Sequence, residues 1–203
     1  MEIESLKELR SNGLLIKNYH NPTDDQVVTA VTSCPEAIEY ISQDLFTSEL
    51  VRRLLKINPE FIFHFPMTYV TQNRLLKAIK HAPSSAQKLT DDHYTLLNAK
   101  DLIRVTYRVY PYLRSNDITE ELCKYSVVRY TNLYANIPEV YKTKQFNREV
   151  VQKNTDLLKY IPEAHINRNL VKRLLCLDPD CYYSLPDKWK HDYASGFCDK
   201  SNI

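Results

Sequence analysis

Glycine is almost missing from this chain. Two occur in 203 residues, Gly13 and Gly196. Tight hairpin turns and phosphate-cradling loops lean on glycine, which enters the left-handed backbone region without steric cost. Its scarcity speaks against meanders, barrels, P-loops and dinucleotide folds, and no Gly-x-Ser-x-Gly elbow exists to present a nucleophilic serine. Long hydrophobic runs are missing too. No stretch of about 20 apolar residues could span a bilayer, and no N-terminal apolar run suggests a signal peptide. Paired cysteine spacing is also absent. The five cysteines, Cys34, Cys123, Cys176, Cys181 and Cys198, are odd in number and do not read as a secreted disulfide framework. These absences predict a reduced, cytoplasmic protein with no membrane association. Nor does charge of one sign dominate: 27 basic against 25 acidic residues leave a net charge of +2. That balance excludes an acidic nucleic-acid mimic and does not demand nucleic acid as a partner.

What the chain does have is a period. Apolar residues make up 43% and charged residues 26%, ordinary globular values. Written in rows of 24 with no gaps, the rows begin at Asp24, Ser48, Gln72, Leu96, Glu120, Lys144 and Arg168. The last column then reads Thr47, Thr71, Thr95, Thr119, Thr143, Asn167 and His191, with Thr23 one unit upstream. Column eight (Val31, Leu55, Ile79, Ile103, Val127, Val151, Leu175) and column eighteen (Ile41, Phe65, Leu89, Leu113, Ile137, Ile161, Leu185) are apolar in every row. Column four is apolar except at Asn147, and Ser126 is the only polar member of column seven.

Columns four, seven and eight are spaced as one face of an α-helix. The threonine before each row is a natural N-cap, so a first helix is expected over columns one to ten. Column twelve holds Pro35, Pro59, Pro83 and Pro179, suited to the first position of a new helix. Columns fourteen, fifteen and eighteen give that second, shorter helix its apolar face. Column nineteen holds Pro66, Pro138, Pro162 and Pro186, with Ser42 and Thr90 in other rows, and predicts one short 3-10 turn before the next threonine. A unit this small cannot bury its apolar face alone, whereas stacked neighbours can. The expected fold is therefore all-α: an α-solenoid of seven 24-residue repeats over residues 24–191. Residues 1–23 form a degenerate capping unit and 192–203 a tail.

Rows such as Asp24-Asp25-Gln26-Val27-Val28-Thr29-Ala30-Val31, followed by Pro35-Glu36-Ala37-Ile38-Glu39-Tyr40-Ile41-Ser42, resemble a domain of unknown function built from short helical repeats. That family is found in large DNA viruses, phages and bacterial effectors. The period is also similar to that of the leucine-rich-variant repeats, which pair an α-helix with a 3-10 helix. The first likeness is carried by rows one to three and departs after Leu96, where Tyr107 and Thr131 stand in the proline column. The resemblance implies a helical-repeat fold and an interaction role, viral or phage in origin, in which case the compartment would be the host cytoplasm. It carries over no catalytic residue.

Two surface patterns are candidates for binding. Five of the seven residues of column five are basic, Arg52, Lys100, Lys124, Arg148 and Lys172, with Val28 and Leu76 in the other rows. Arg53, Lys77 and Arg173 sit beside it, and Lys56, Lys80 and Arg104 lie one turn along. In stacked rows these would align as a basic stripe, fit for an acidic protein surface or a nucleic-acid backbone. The same residues also suit a solvated helix face beside the acidic column thirteen (Glu36, Glu60, Asp156, Asp180). Column twenty-two contributes an aromatic face, Tyr69, His93, Tyr141, His165 and Trp189, with Tyr40, His64, Tyr112 and Tyr160 in column seventeen. Aromatic ladders anchor partners or stack bases, and they also pack between repeats with the hydroxyl at the rim. Cys176 and Cys181 lack two further ligands at zinc spacing, so no metal and no cofactor is expected. The reading is a non-enzymatic protein–protein interaction scaffold, with nucleic-acid binding through the stripe as the alternative.

Overall fold

The computed structural model describes residues 2–194. Among them every regular element is helical and no strand occurs. By contacts the chain divides into two compact units, Met1–Leu113 and Arg114–Ile203.

The first unit begins with α1 (Glu2–Ser11) and a 3-10 helix, Gly13–Asn18. Next come α2 (Asp24–Ser33), α3 (Ser48–Ile57), α4 (Gln72–His81), the short α5 (Asp91–Tyr94) and α6 (Ala99–Val105). The second unit holds α7 (Glu120–Arg129), α8 (Lys144–Lys153), α9 (Arg168–Leu177) and α10 (Asp187–Ala194). Six of these helices are ten residues long and start at column one. Their starts are set by side chains: Thr23, Thr47, Thr71, Thr119, Thr143 and Asn167 each accept a hydrogen bond from the amide three residues on, at 2.9–3.4 Å. Those amides have no partner inside the helix, which is why the cap stabilises it.

Row four departs from the expected start. Thr95 N-caps no helix; it is the C-cap of α5, with αR dihedrals, and its hydroxyl donates to Asp92 O. Asn98 caps α6 instead, its side chain accepting from the Asp101 amide, and the Asp101 carboxylate accepts in return from the Asn98 amide. This reciprocal box competes better than a lone threonine, and the later start lets Leu97 be buried. At the other end, α10 runs through His191, the closing position of row seven, without a break. Of the tail expected at 192–203, residues 195–203 lie outside those described.

The second helix of every row is a six-residue 3-10 helix: Pro35–Tyr40, Pro59–His64, Pro83–Lys88, Tyr107–Tyr112, Thr131–Asn136, Thr155–Tyr160 and Pro179–Ser184. With three residues per turn, columns fifteen and eighteen eclipse. Each column-eighteen amide closes the last turn onto the column-fifteen carbonyl, as Ile41 does onto Ile38 and Ile161 onto Leu158. A proline at column nineteen then keeps the preceding residue extended and stops the helix; Phe65, before Pro66, has ψ 151°. A further three-residue 3-10 turn follows in rows one, two, four, five and six. Row three has α5 there instead, because Thr90 and His93 form their own capping box.

Within each unit the long helices and the 3-10 helices pack together. In the first unit α2 lies against α1 and α3, and α4 against α6. In the second, α7, α8 and α9 pack in succession, and the 3-10 helices 131–136, 155–160 and 179–184 stack beside them. Columns four, seven and eight supply the buried face of the long helices. Val31, Ile79, Ile103, Val127 and Val151 are fully enclosed, whereas Leu55 and Leu175 are only half-buried. Column three was not anticipated: Leu50, Leu122, Phe146 and Leu170 are buried, together with Gln26. Gly13 marks a close approach between segments. A Cβ there would stand 2.2 Å from Ala30 O, so α2 can lie this close only against glycine.

Candidate functional site

The basic residues lie on the outer sides of the long helices, and carboxylates from the same helices meet many of them. In the first unit the Arg52 guanidinium bonds Glu49 (Nε to Oε2, 2.9 Å). Arg53 reaches across from α3 to Asp25 on α2 at 2.7 Å, and Arg104 pairs with Asp101 at 3.1 Å. Lys56, Lys77, Lys80 and Lys100 are exposed along the same helices. In the second unit Lys124 lies between Glu120 at 2.8 Å and Glu149 of α8 at 2.5 Å. Arg148 is half-buried, and Lys172 and Arg173 are exposed.

The titrations follow these pairs. The bond from Arg52 holds the Glu49 carboxyl below its usual range, and Lys124 does the same to Glu149. Bonds to Glu120 and Glu149 raise the Lys124 ammonium in turn. Exposed pairs of this kind add little to stability, so their weight lies in neutralising the face rather than in holding the fold. The partners come from columns one, two and six. Column thirteen is occupied elsewhere: Glu60 accepts from Ser85 and meets Lys88, and Glu36 accepts from the Cys34 thiol.

The aromatic column is mostly fastened to neighbouring segments. Tyr69 OH donates to Phe46 O at 2.6 Å and Tyr141 OH to Ile118 O at 2.9 Å, in each case 23 residues back. His93 is buried, accepts from the Thr90 amide at 3.0 Å, and meets Phe63 edge-on at 5.9 Å; burial lowers its imidazole pKa. Trp189 is half-buried with its indole N–H enclosed and unbonded. In column seventeen Tyr40 and Tyr160 are exposed and His64 and Tyr112 half-buried. Burial, aided by Lys88, lowers the His64 pKa.

One constellation was missed by sequence reasoning. Asn147, the lone polar residue of column four, is 1% exposed. Its Oδ1 accepts from Tyr134 OH at 2.9 Å, and its Nδ2 lies 2.7 Å from His165 Nδ1. A break in an otherwise apolar column was the available signal. Its partners, one in row five and one in row six, could not be named from spacing.

Cys181 is buried and its thiol pKa is pushed up to about 11, chiefly by desolvation, while Cys176 is exposed. Among the described residues no three His, Cys, Asp or Glu side chains are grouped as metal ligands, and no helix is long and apolar enough to cross a membrane. Comparison with protein-family models, curated proteins and solved structures gave no match.

Proposed function

We propose that the seven rows stack as an α-solenoid whose repeated outer faces dock a protein partner, with no catalysis of its own. The observation that supports this reading is the step of 24 residues. In both units the outward positions of the long helices return at that step bearing cations and carboxylates, so the feature on offer is a surface pattern. The buried polar side chains of Asn147, Tyr134 and His93 bond to neighbours within their own unit, as structural groups do. The resemblance of rows one to three to viral and phage repeats makes a host-cell protein the partner in this reading. The pairing of Arg53 with Asp25 and of Lys124 with Glu149 weighs against the nucleic-acid alternative, because it lowers the charge free to meet phosphates.

Two measurements test the proposal. Helices about 8–10 Å apart in seven rows make an array about 60–70 Å long. Its radius of gyration would be about 20 Å, against about 17 Å for a compact chain of this length. A scattering value near the compact figure overturns the stacking. Affinity capture from host lysate should then retain a partner on the wild-type chain and lose it on the combined variant Arg52→Glu, Lys100→Glu, Lys124→Glu, Arg148→Glu. The same retained set on both would take the helix face out of the function. Oligonucleotide binding that falls steeply between about 50 and 200 mM salt would favour the nucleic-acid alternative.

A further inference from the structure

In the second unit α8 and α9 border an open hollow of about 560 Å³, lined by Glu149, Gln152 and Lys153 from α8 and by Arg173 and Leu177 from α9. Its charges are not balanced from within. The Glu149 carboxylate is engaged by Lys124 of α7 at 2.5 Å and accepts from Gln145 Nε2 at 2.9 Å, so the one acid of the hollow is already committed. Lys153 and Arg173 are exposed and form no ion pair among the described residues. Leu177, the last residue of α9, is 60% exposed. A single exposed leucine is ordinary. A leucine lining a concavity that also holds two cations outside any ion pair among the described residues is a combination that a water-facing surface does not require.

We propose that this hollow docks an acidic peptide segment of a protein partner, with an apolar side chain flanked by carboxylates; the proposal rests on the interaction-scaffold reading and names the chemistry of its partner. The Arg173 guanidinium offers a planar fork that a carboxylate can meet bidentately. Lys153 supplies a second point charge, and an apolar side chain of the peptide removes Leu177 from water. The Gln152 amide is left for the peptide backbone. The hollow has the volume of a small-molecule pocket but stays open to solvent, which suits a chain that crosses it and continues beyond.

The test uses the whole chain and a fluorescein-labelled peptide in which a leucine is flanked on both sides by glutamates, followed by anisotropy. Saturable binding is expected. It should weaken about tenfold or more in the Lys153→Glu, Arg173→Glu variant, equivalent to at least 1.4 kcal/mol, and weaken again when serine replaces the peptide's leucine. Both substituted side chains are exposed, so the variant should melt with the wild type. No binding to the wild type, or equal binding to the variant, overturns the site. So does a single-stranded oligonucleotide that binds where the peptide does not. If the peptide fails while lysate capture still depends on the helix face, only this site falls. If capture fails as well, the docking reading falls with it.

Discussion

Trimming Asn147 to alanine probes the buried constellation of the second unit directly. The substitution removes the acceptor of the hydroxyl of Tyr134, a residue only 6% exposed. Leaving such a group unsatisfied costs about 1–3 kcal/mol, and losing the contact to half-buried His165 about 0.5–1.5 kcal/mol more. Asn147→Ala should therefore destabilise by about 2–4 kcal/mol. Tyr134→Phe removes the same bond from the other side, so the double variant should cost less than the two single changes summed, by about 1 kcal/mol or more. The readout is urea unfolding followed by the fluorescence of Trp189, the only tryptophan in the chain, which lies in the same unit. Independent sites add to within about 0.3–0.5 kcal/mol. Additivity of that quality here would refute the claim that Tyr134 and Asn147 satisfy one another.

Gly13→Ala should lower the melting temperature of the first unit, because the new methyl group would meet Ala30 O at 2.2 Å and Cys34 Cβ at 2.9 Å. The cost should be about 1–3 kcal/mol, as for overpacked cores, and unchanged thermal unfolding would contradict the close approach of α2. Acid should weaken the first unit before its carboxylates titrate. His64 and His93 have pKa values lowered by burial, so between about pH 6.5 and those lowered values the unfolded chain binds more protons. Stability then falls as pH falls through that window and is fully present above it. The urea midpoint of the wild type should drop from pH 7.5 to pH 5.5 by more than that of His93→Gln, and parallel pH dependences would argue against the buried neutral imidazole.

The positions of the long helices were legible in the sequence because two kinds of signal coincide at the same step. Thr47, Thr71, Thr119 and Thr143 announce a start that columns four, seven and eight then continue with a helical face. Where a better cap lay three residues downstream, as Asn98 does from Thr95, the column misled. The 3-10 character of the second helix was not legible in the spacing, because six residues are too few to separate a period of 3.0 from 3.6; only the likeness to the leucine-rich-variant repeats pointed to it. Column three escaped notice because Gln26, Arg74 and Asn98 interrupt it. The candidate sites were legible only as residue types. Which carboxylate meets which cation, and that Tyr69 and Tyr141 direct their hydroxyls to a carbonyl 23 residues back, depends on contacts between rows that no spacing within a row specifies.

The N-caps act within three residues of themselves, so six of the long helices begin on a cap that closes the row before. A gene encoding such a chain can be lengthened or shortened by whole rows without rewriting any start signal, while a half-row insertion would separate a cap from its helix. The junction between rows five and six adds a buried contact to these local signals. There Tyr134 from one row donates to Asn147 of the next, and Asn147 in turn meets His165 of its own row, so these two rows fit one another through side chains that other rows lack.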